Sequence, residues 1–205
     1  MKVSGSVFVV SGPSGTGKST IIKLVREAVP DLAYSVSHTS RKPRGNEVDG
    51  VEYYFVSKDT FAGMIEAGEF AEWAEVYRDF YGTSVASLEG PTSRGLDVIM
   101  DVDTRGASNI KARFKESILI YVLPPSLEEL KKRLTSRGTE SEEAVRARLE
   151  KASEEIKNCV WYDYLIFNGD LMSAVDEMRS LVVSERCRCS RQLPRAQKAF
   201  HLGAP

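Results

Sequence analysis

The amino-acid sequence predicts an α/β fold of three layers, with helices on both faces of a central parallel sheet. Apolar runs of strand length alternate with stretches of helical period along most of the chain. The first of these runs, SVFVVS at 6–11, passes through a glycine-rich turn directly into a helical pattern. One block, residues 35–83, breaks the rhythm with alternating aromatics and turn signals. It reads as a small inserted α+β subdomain, mostly antiparallel.

In chain order, strands are predicted over 6–11, 96–102, 117–123 and 164–168. Helices are predicted over about 17–28, 104–114, 126–136, 141–160 and 170–185. Within the insertion, Arg44-Gly45 and Asp49-Gly50 mark turns, and 58–67 is a short helical piece. The helix over 126–136 follows Pro124-Pro125 and carries Ser126 and Glu129 at capping-box spacing. Leu127, Leu130 and Leu134 form its apolar stripe, and Gly138 ends it. The polar stretch SRGTESEE separates it from the next helix. The chain therefore divides into a core of residues 1–34, 84–125 and 149–185, the insertion at 35–83, a helical pair at 126–148 and a flexible basic tail at 186–205.

Bulk composition sets limits. At 205 residues one domain is the default, and 42% apolar with 28% charged residues suits a globular chain. Net charge is −1, so nothing overall argues for nucleic acid as a partner. The tail holds five Lys/Arg and no Asp/Glu, which leaves 23 cations against 29 acids in the rest. No apolar run approaches the roughly 18 residues of a membrane span. Three cysteines show no disulfide framework, and a cytoplasmic location is expected. Cys159 falls in a helical pattern and reads as a small hydrophobe. Cys187 and Cys189 lack partners for a metal site.

Gly12, Pro13, Ser14, Gly15, Thr16, Gly17, Lys18 and Ser19, followed by Thr20, fill the pattern G-x-x-x-x-G-K-[ST] between a strand and a helix. Glycines let successive backbone N–H groups turn inward as an anion nest, and the helix N-terminus adds positive partial charge. Lys18 can reach the β- and γ-phosphates, and Ser19 offers a hydroxyl to Mg²⁺. A plain Gly/Ser turn would need neither Lys18 nor this spacing. The motif alone does not separate kinase, GTPase, motor and transporter ATPase. In VIMDVD, Asp101 resembles the acid that such proteins place near Mg²⁺, reached through water. Asp103, two residues on, would share its face on a strand, or cap the following helix. Arg133 and Arg137 lie on one helix face at i and i+4, and Arg148 lies on the next helix. Two arginine-bearing helices joined by a polar loop read as a hinged lid. In the insertion, the guanidinium groups of Arg41 and Arg44 suit a phosphate monoester, and Tyr53 and Tyr81 can add phenolic hydrogen bonds.

With these residues in order, the chain resembles the guanylate kinases. The resemblance is carried by GPSGTGKST, SVSHTSRKPRGNEVDGVEYYFVS, EFAEWAEV, YGTS, IMDVD and PPSLEELKKRLTSRGTESEE, and extends to Asn168-Gly169. It covers about residues 5–184. The stretch S-x-T-[ST]-R-x-P-R-x-x-E-x-x-G-x-x-Y is far more specific than the phosphate loop. It implies transfer of the γ-phosphoryl of ATP to GMP, with Mg²⁺. Ser37, Glu72, Thr83 and Asp103 match positions around guanine. Arg41, Arg44, Tyr53 and Tyr81 match the holders of the GMP phosphate. Lys18, Arg133, Arg137 and Arg148 match the catalytic cations, and Asn168 matches a contact near adenine. Two positions depart from the pattern. Arg105 stands where Gln is usual, and Thr83 replaces a serine while keeping the hydroxyl.

The chemistry agrees with guanine, because its adjacent N1 and N2 donors suit one carboxylate such as Glu72, and adenine would leave that carboxylate unpaired. The resemblance implies direct in-line transfer behind a closing lid, without a protein nucleophile. Other nucleoside-monophosphate kinases would need a different base pocket. A binding module that had lost catalysis would be expected to carry a damaged phosphate loop. A signalling GTPase would need an N-K-x-D element, and none is present. Use of dGMP and a homo-oligomeric state stay open.

Overall fold

The structure, a computed structural model, describes residues 4–76, 78–136 and 142–201. From the N-terminus run β1 (Val7–Ser11), α1 (Lys18–Ala28) and β2 (Leu32–Tyr34). The insertion follows, with β3 (His38–Thr39), β4 (Tyr54–Phe55), α2 (Lys58–Glu66), β5 (Phe70–Val76) and β6 (Asp79–Ser84). The chain then forms α3 (Val85–Ser93), β7 (Asp97–Asp101), α4 (Thr104–Arg113), β8 (Ile118–Leu123), α5 (Leu127–Thr135) and α6 (Glu142–Ile156). It ends with β9 (Tyr164–Phe167), α7 (Leu171–Arg186) and α8 (Cys189–Phe200).

Five strands form an all-parallel sheet in the order β2-β7-β1-β8-β9. Every residue of β1 is buried. Its side chains alternate between faces as strand geometry demands. Phe8 and Val10 pack with Ile21, Val25 and Met178 from α1 and α7, while Val7 and Val9 pack with Leu88 and Ile110 from α3 and α4. Burying a side chain such as Phe8 contributes about 1.5–3 kcal/mol. Parallel strands on both sides of β1 leave a crevice at their carboxyl ends, where successive crossovers go to opposite sides.

The insertion folds as its own four-stranded sheet, β4-β3-β6-β5. Phe61 of α2 is fully buried and stacks on Phe70 at 4.3 Å and Phe80 at 5.4 Å. The pair α5 and α6 closes around Leu130, Leu134, Val145 and Ala152. Ser126 caps α5 by accepting from the Glu129 N–H.

Several elements differ from the sequence reading. β2, three residues long, gives too short an apolar run to be predicted. α3 includes Gly90 and Pro91, which read as breakers. Burial of Leu88 and Thr92 overrides that local preference. The helix expected over 141–160 is α6 followed by a 3₁₀ turn at Lys157–Trp161. The strand expected to reach residue 102 stops at Asp101, so Asp103 is not on it. Of the flexible tail expected over 186–205, residue 186 ends α7 and residues 189–200 form α8, while 202–205 lie outside the described residues. Arg186 and Arg191 turn inward to one buried carboxylate, Asp97, which lies far off in sequence. Among the described residues no helix is long and apolar enough to cross a membrane.

Candidate active site

The parallel pairing of Val10 with Asp101 fixes the geometry of the crevice. It sets the phosphate loop, leaving β1, beside the acidic end of β7. Gly12 has φ +142°, and a Cβ there would lie 2.2 Å from the Val122 carbonyl oxygen. Gly17 has φ +87°, and its missing Cβ leaves room for the Asn168 amide. Both positions demand glycine. The Thr16 side chain is buried and donates to the Pro13 carbonyl at 3.0 Å. Pro13 is buried as well, and neither side chain lines the cavity over the loop. Lys18 Nζ donates to the Gly12 carbonyl at 2.7 Å and lies 4.0 Å from Asp101 Oδ1.

A cavity of about 1070 Å³ lies over this loop, lined by Gly17, Lys18, Ser19, Thr20, Asp101 and Arg148 among others. Arg44 also reaches it from the insertion. Burial pushes the Asp101 carboxyl up, against the pull of the Lys18 ammonium and the Ser19 hydroxyl. The carboxylate and hydroxyl together are a hard oxygen pair suited to magnesium.

A second cavity, of about 250 Å³, is lined by Ser37, Tyr53, Glu72, Tyr81, Asp101 and Asp103 among others. Asp101 and Asp103 line both cavities. Glu72 on β5 sits opposite Thr83 on β6, and the buried Thr83 hydroxyl donates to Glu72 Oε1 at 2.7 Å. Burial raises the Glu72 carboxyl above the usual range, the Thr83 bond opposes this, and Asp103 adds to it. Asp103 does cap α4: its Oδ1 accepts from the Gly106 N–H at 2.7 Å.

Arg41 is buried and lines neither cavity; it stands behind Tyr81, whose phenolic oxygen accepts from Arg41 Nε at 3.2 Å. Its guanidinium lies over the rings of Tyr53 and Phe55, at 5.4 and 5.8 Å. Arg148 Nη2 donates to Ser14 Oγ at 2.6 Å, which bridges α6 to the phosphate loop. Arg133 is held by Glu129 and donates to the Asn168 carbonyl at 2.9 Å. Arg137 lies outside the described residues.

The structure thus brings Lys18, Ser19, Arg44 and Arg148 to one cavity and Ser37, Tyr53, Glu72 and Tyr81 to the adjoining one, with Asp101 and Asp103 on both, while Arg41, Thr83, Arg133 and Asn168 line neither. Asn168, expected as a contact near adenine, is buried, and its amide nitrogen donates to the Thr16 carbonyl at 2.7 Å. Glu47 went unassigned in the sequence, although it is the glutamate of the R-x-P-R-x-x-E stretch.

The guanylate kinase family model matches residues 4–185. A guanylate kinase of Geobacter metallireducens is 44% identical over 203 residues, 99% of this chain and 100% of that one. One from Clostridioides difficile is 47% identical over 187 residues, 91% of each chain. The crystal structure of guanylate kinase from Anaplasma phagocytophilum superposes with a TM-score of 0.76 at 29% identity, covering 99% of both chains.

Proposed function

The chain belongs to the guanylate kinase family, and from that premise we propose how its residues divide the work of the reaction. The enzyme transfers the γ-phosphoryl of ATP to GMP, giving ADP and GDP. One observation carries the division of labour: the two cavities meet at Asp101 and Asp103, so a base pocket and a phosphate loop open on one crevice.

ATP places its phosphates on the loop from Gly12 to Thr20, with Lys18 released from the Gly12 carbonyl to the moving phosphoryl. Ser19 and, through water, Asp101 would hold magnesium. The pair fits, since a nearby cation would keep the buried carboxylate ionised. Magnesium held there would supply positive charge against the phosphate oxygens. GMP sets its base against Glu72, which accepts from N1 and N2. The Thr83 hydroxyl is already committed to Glu72 and orients it. That leaves the Ser37 hydroxyl to donate to O6. The GMP phosphate meets Tyr53, Tyr81 and Arg44, with Arg41 behind Tyr81. Arg133, Arg137 and Arg148 supply cations from the 126–148 lid, which excludes water on closing. A GMP phosphate oxygen is the nucleophile, so no protein base is needed. A cytoplasmic location goes with this reading and is supported by three unpaired cysteines.

The test is ADP release from ATP with magnesium in the presence of GMP, AMP, dTMP, CMP or no acceptor. Turnover is expected with GMP alone, and Lys18→Ala should lower it by at least about a hundredfold. Equal turnover with AMP would refute the base pocket described here.

A further inference from the structure

We propose that Glu47 is a positioning residue of the GMP phosphate site, holding Arg41 behind Tyr81 and the Arg44 backbone at the cavity mouth. The inference rests on the assignment of this pocket to GMP.

Its basis is a full account of the Arg41 donors. A guanidinium carries five N–H groups. Nε donates to the Tyr81 oxygen at 3.2 Å. Nη1 donates to the Lys42 carbonyl and to Glu47 Oε2, both at 2.8 Å. Nη2 donates to Glu47 Oε1 at 2.9 Å. One N–H on Nη2 is left. The carboxylate thus grips the guanidinium with two parallel bonds, the geometry that fixes its plane. Glu47 Oε2 also accepts from the Arg44 N–H at 2.7 Å, tying down the turn that carries the second arginine.

Consequences for the ligand follow from which atoms remain. The Tyr81 oxygen is occupied as an acceptor by Arg41, so its own proton points elsewhere, and Tyr81 lines the smaller cavity. A phosphate there would be met by an oriented phenol O–H rather than a freely rotating one. Glu47 lines neither cavity. Both its oxygens are turned to Arg41 and the Arg44 N–H. A carboxylate competing with the phosphate would have to face the cavity, and removing it would tighten binding. A positioning carboxylate predicts the reverse.

The experiment titrates GMP and guanosine separately into the full chain and its Glu47→Gln and Glu47→Asp variants. Guanosine has the base but no phosphate, so the ratio of the two affinities isolates the phosphate contribution. Glu47→Gln is expected to weaken GMP about tenfold, the scale of a lost charge-assisted bond, while guanosine binds as before. KM for GMP should rise in step, with kcat and KM for ATP little changed. Glu47→Asp, which keeps the charge at a shorter reach, should fall between and serves alone if the glutamine variant does not fold. Unchanged or tighter GMP binding would overturn the proposal. So would equal weakening of guanosine, which would mark Glu47 as a packing residue of the insertion. Wild-type protein that bound AMP as tightly as GMP would instead remove the guanine assignment, and this proposal with it.

Discussion

Glu72 shows how one side chain can trade stability for selection. Its carboxyl is raised above the ordinary value by burial, with the hydroxyl and the backbone N–H of Thr83 bonding against that shift. Ionised, it would accept from both guanine donors. Protonated, it would turn an O–H toward a ring N–H. Guanosine affinity should therefore be full above the raised pKa and fall as pH drops through it. Guanosine is the right probe, because a phosphate monoester titrates near pH 6 on its own account. Glu72→Gln should bind weakly and show no such pH dependence. A wild-type affinity that stays flat across the acid range would refute the assignment. The stability sign is opposite. A carboxyl whose folded pKa lies above its unfolded value costs nothing below the unfolded pKa. It costs progressively more as pH rises to the folded one. Glu72→Gln is thus expected to melt higher than wild type at neutral pH, the pattern of a residue kept for function.

At the scale of elements, Asn168 joins three of them at the rear of the phosphate loop. Its N–H donates to the Leu123 carbonyl at the end of β8, its amide donates to Thr16, and its carbonyl accepts from Arg133 on α5. Asn168→Ala would strand the Thr16 carbonyl in a buried setting, at a cost of about 1–3 kcal/mol. The expected kinetic mark is a raised KM for ATP with KM for GMP unchanged, read from initial rates with each substrate varied. An equal effect on both would place Asn168 in general packing instead. The loop itself was legible in the sequence, because glycine, lysine and hydroxyl spacing is a local code. So were Ser37 and Glu72, which the resemblance of the 35–83 block named and which one cavity holds. The amide tie was not, since its two ends are 152 residues apart and nothing local marks a buried asparagine. Arg41 was legible as one of the insertion's two arginines, but not its bond to Tyr81 behind the cavity wall. Its placement depends on the register of β3 against β6, which pairs Thr39 with Tyr81. Helix α3 was missed for the converse reason: Gly90 and Pro91 speak locally against a helix that packing imposes.

Across the whole molecule, the two ends of β7 carry acids with opposite tasks. Asp101 ends the strand at the crevice. Asp97 begins it, about 13 Å away at a strand rise of ~3.3 Å per residue. Asp97 is 1% exposed and is gripped by Arg186 Nε at 2.6 Å and Arg191 Nη1 at 2.8 Å, while the Ser6 N–H donates to it at 2.7 Å. The carboxylate thereby fastens the start of β1, the end of α7 and the added helix α8 to the sheet. The basic composition of residues 186–205 looked like a solvated tail because the acid that recruits it is remote in sequence. Removing one side of a buried ion pair leaves uncompensated charge and typically costs about 3–5 kcal/mol. Asp97→Asn should therefore lower the melting temperature by roughly 2–4 °C for each kcal/mol lost. Truncation after Arg186 removes Arg191 but keeps Arg186, so its loss should be smaller than that of Asp97→Asn. Because the clamp lies at the far end of the strands, both variants should keep the wild-type KM for ATP and GMP at temperatures where they remain folded. A truncation that melts with the wild type would show that α8 contributes nothing through Asp97. A rise in either KM would show instead that the two ends of β7 are coupled through the sheet.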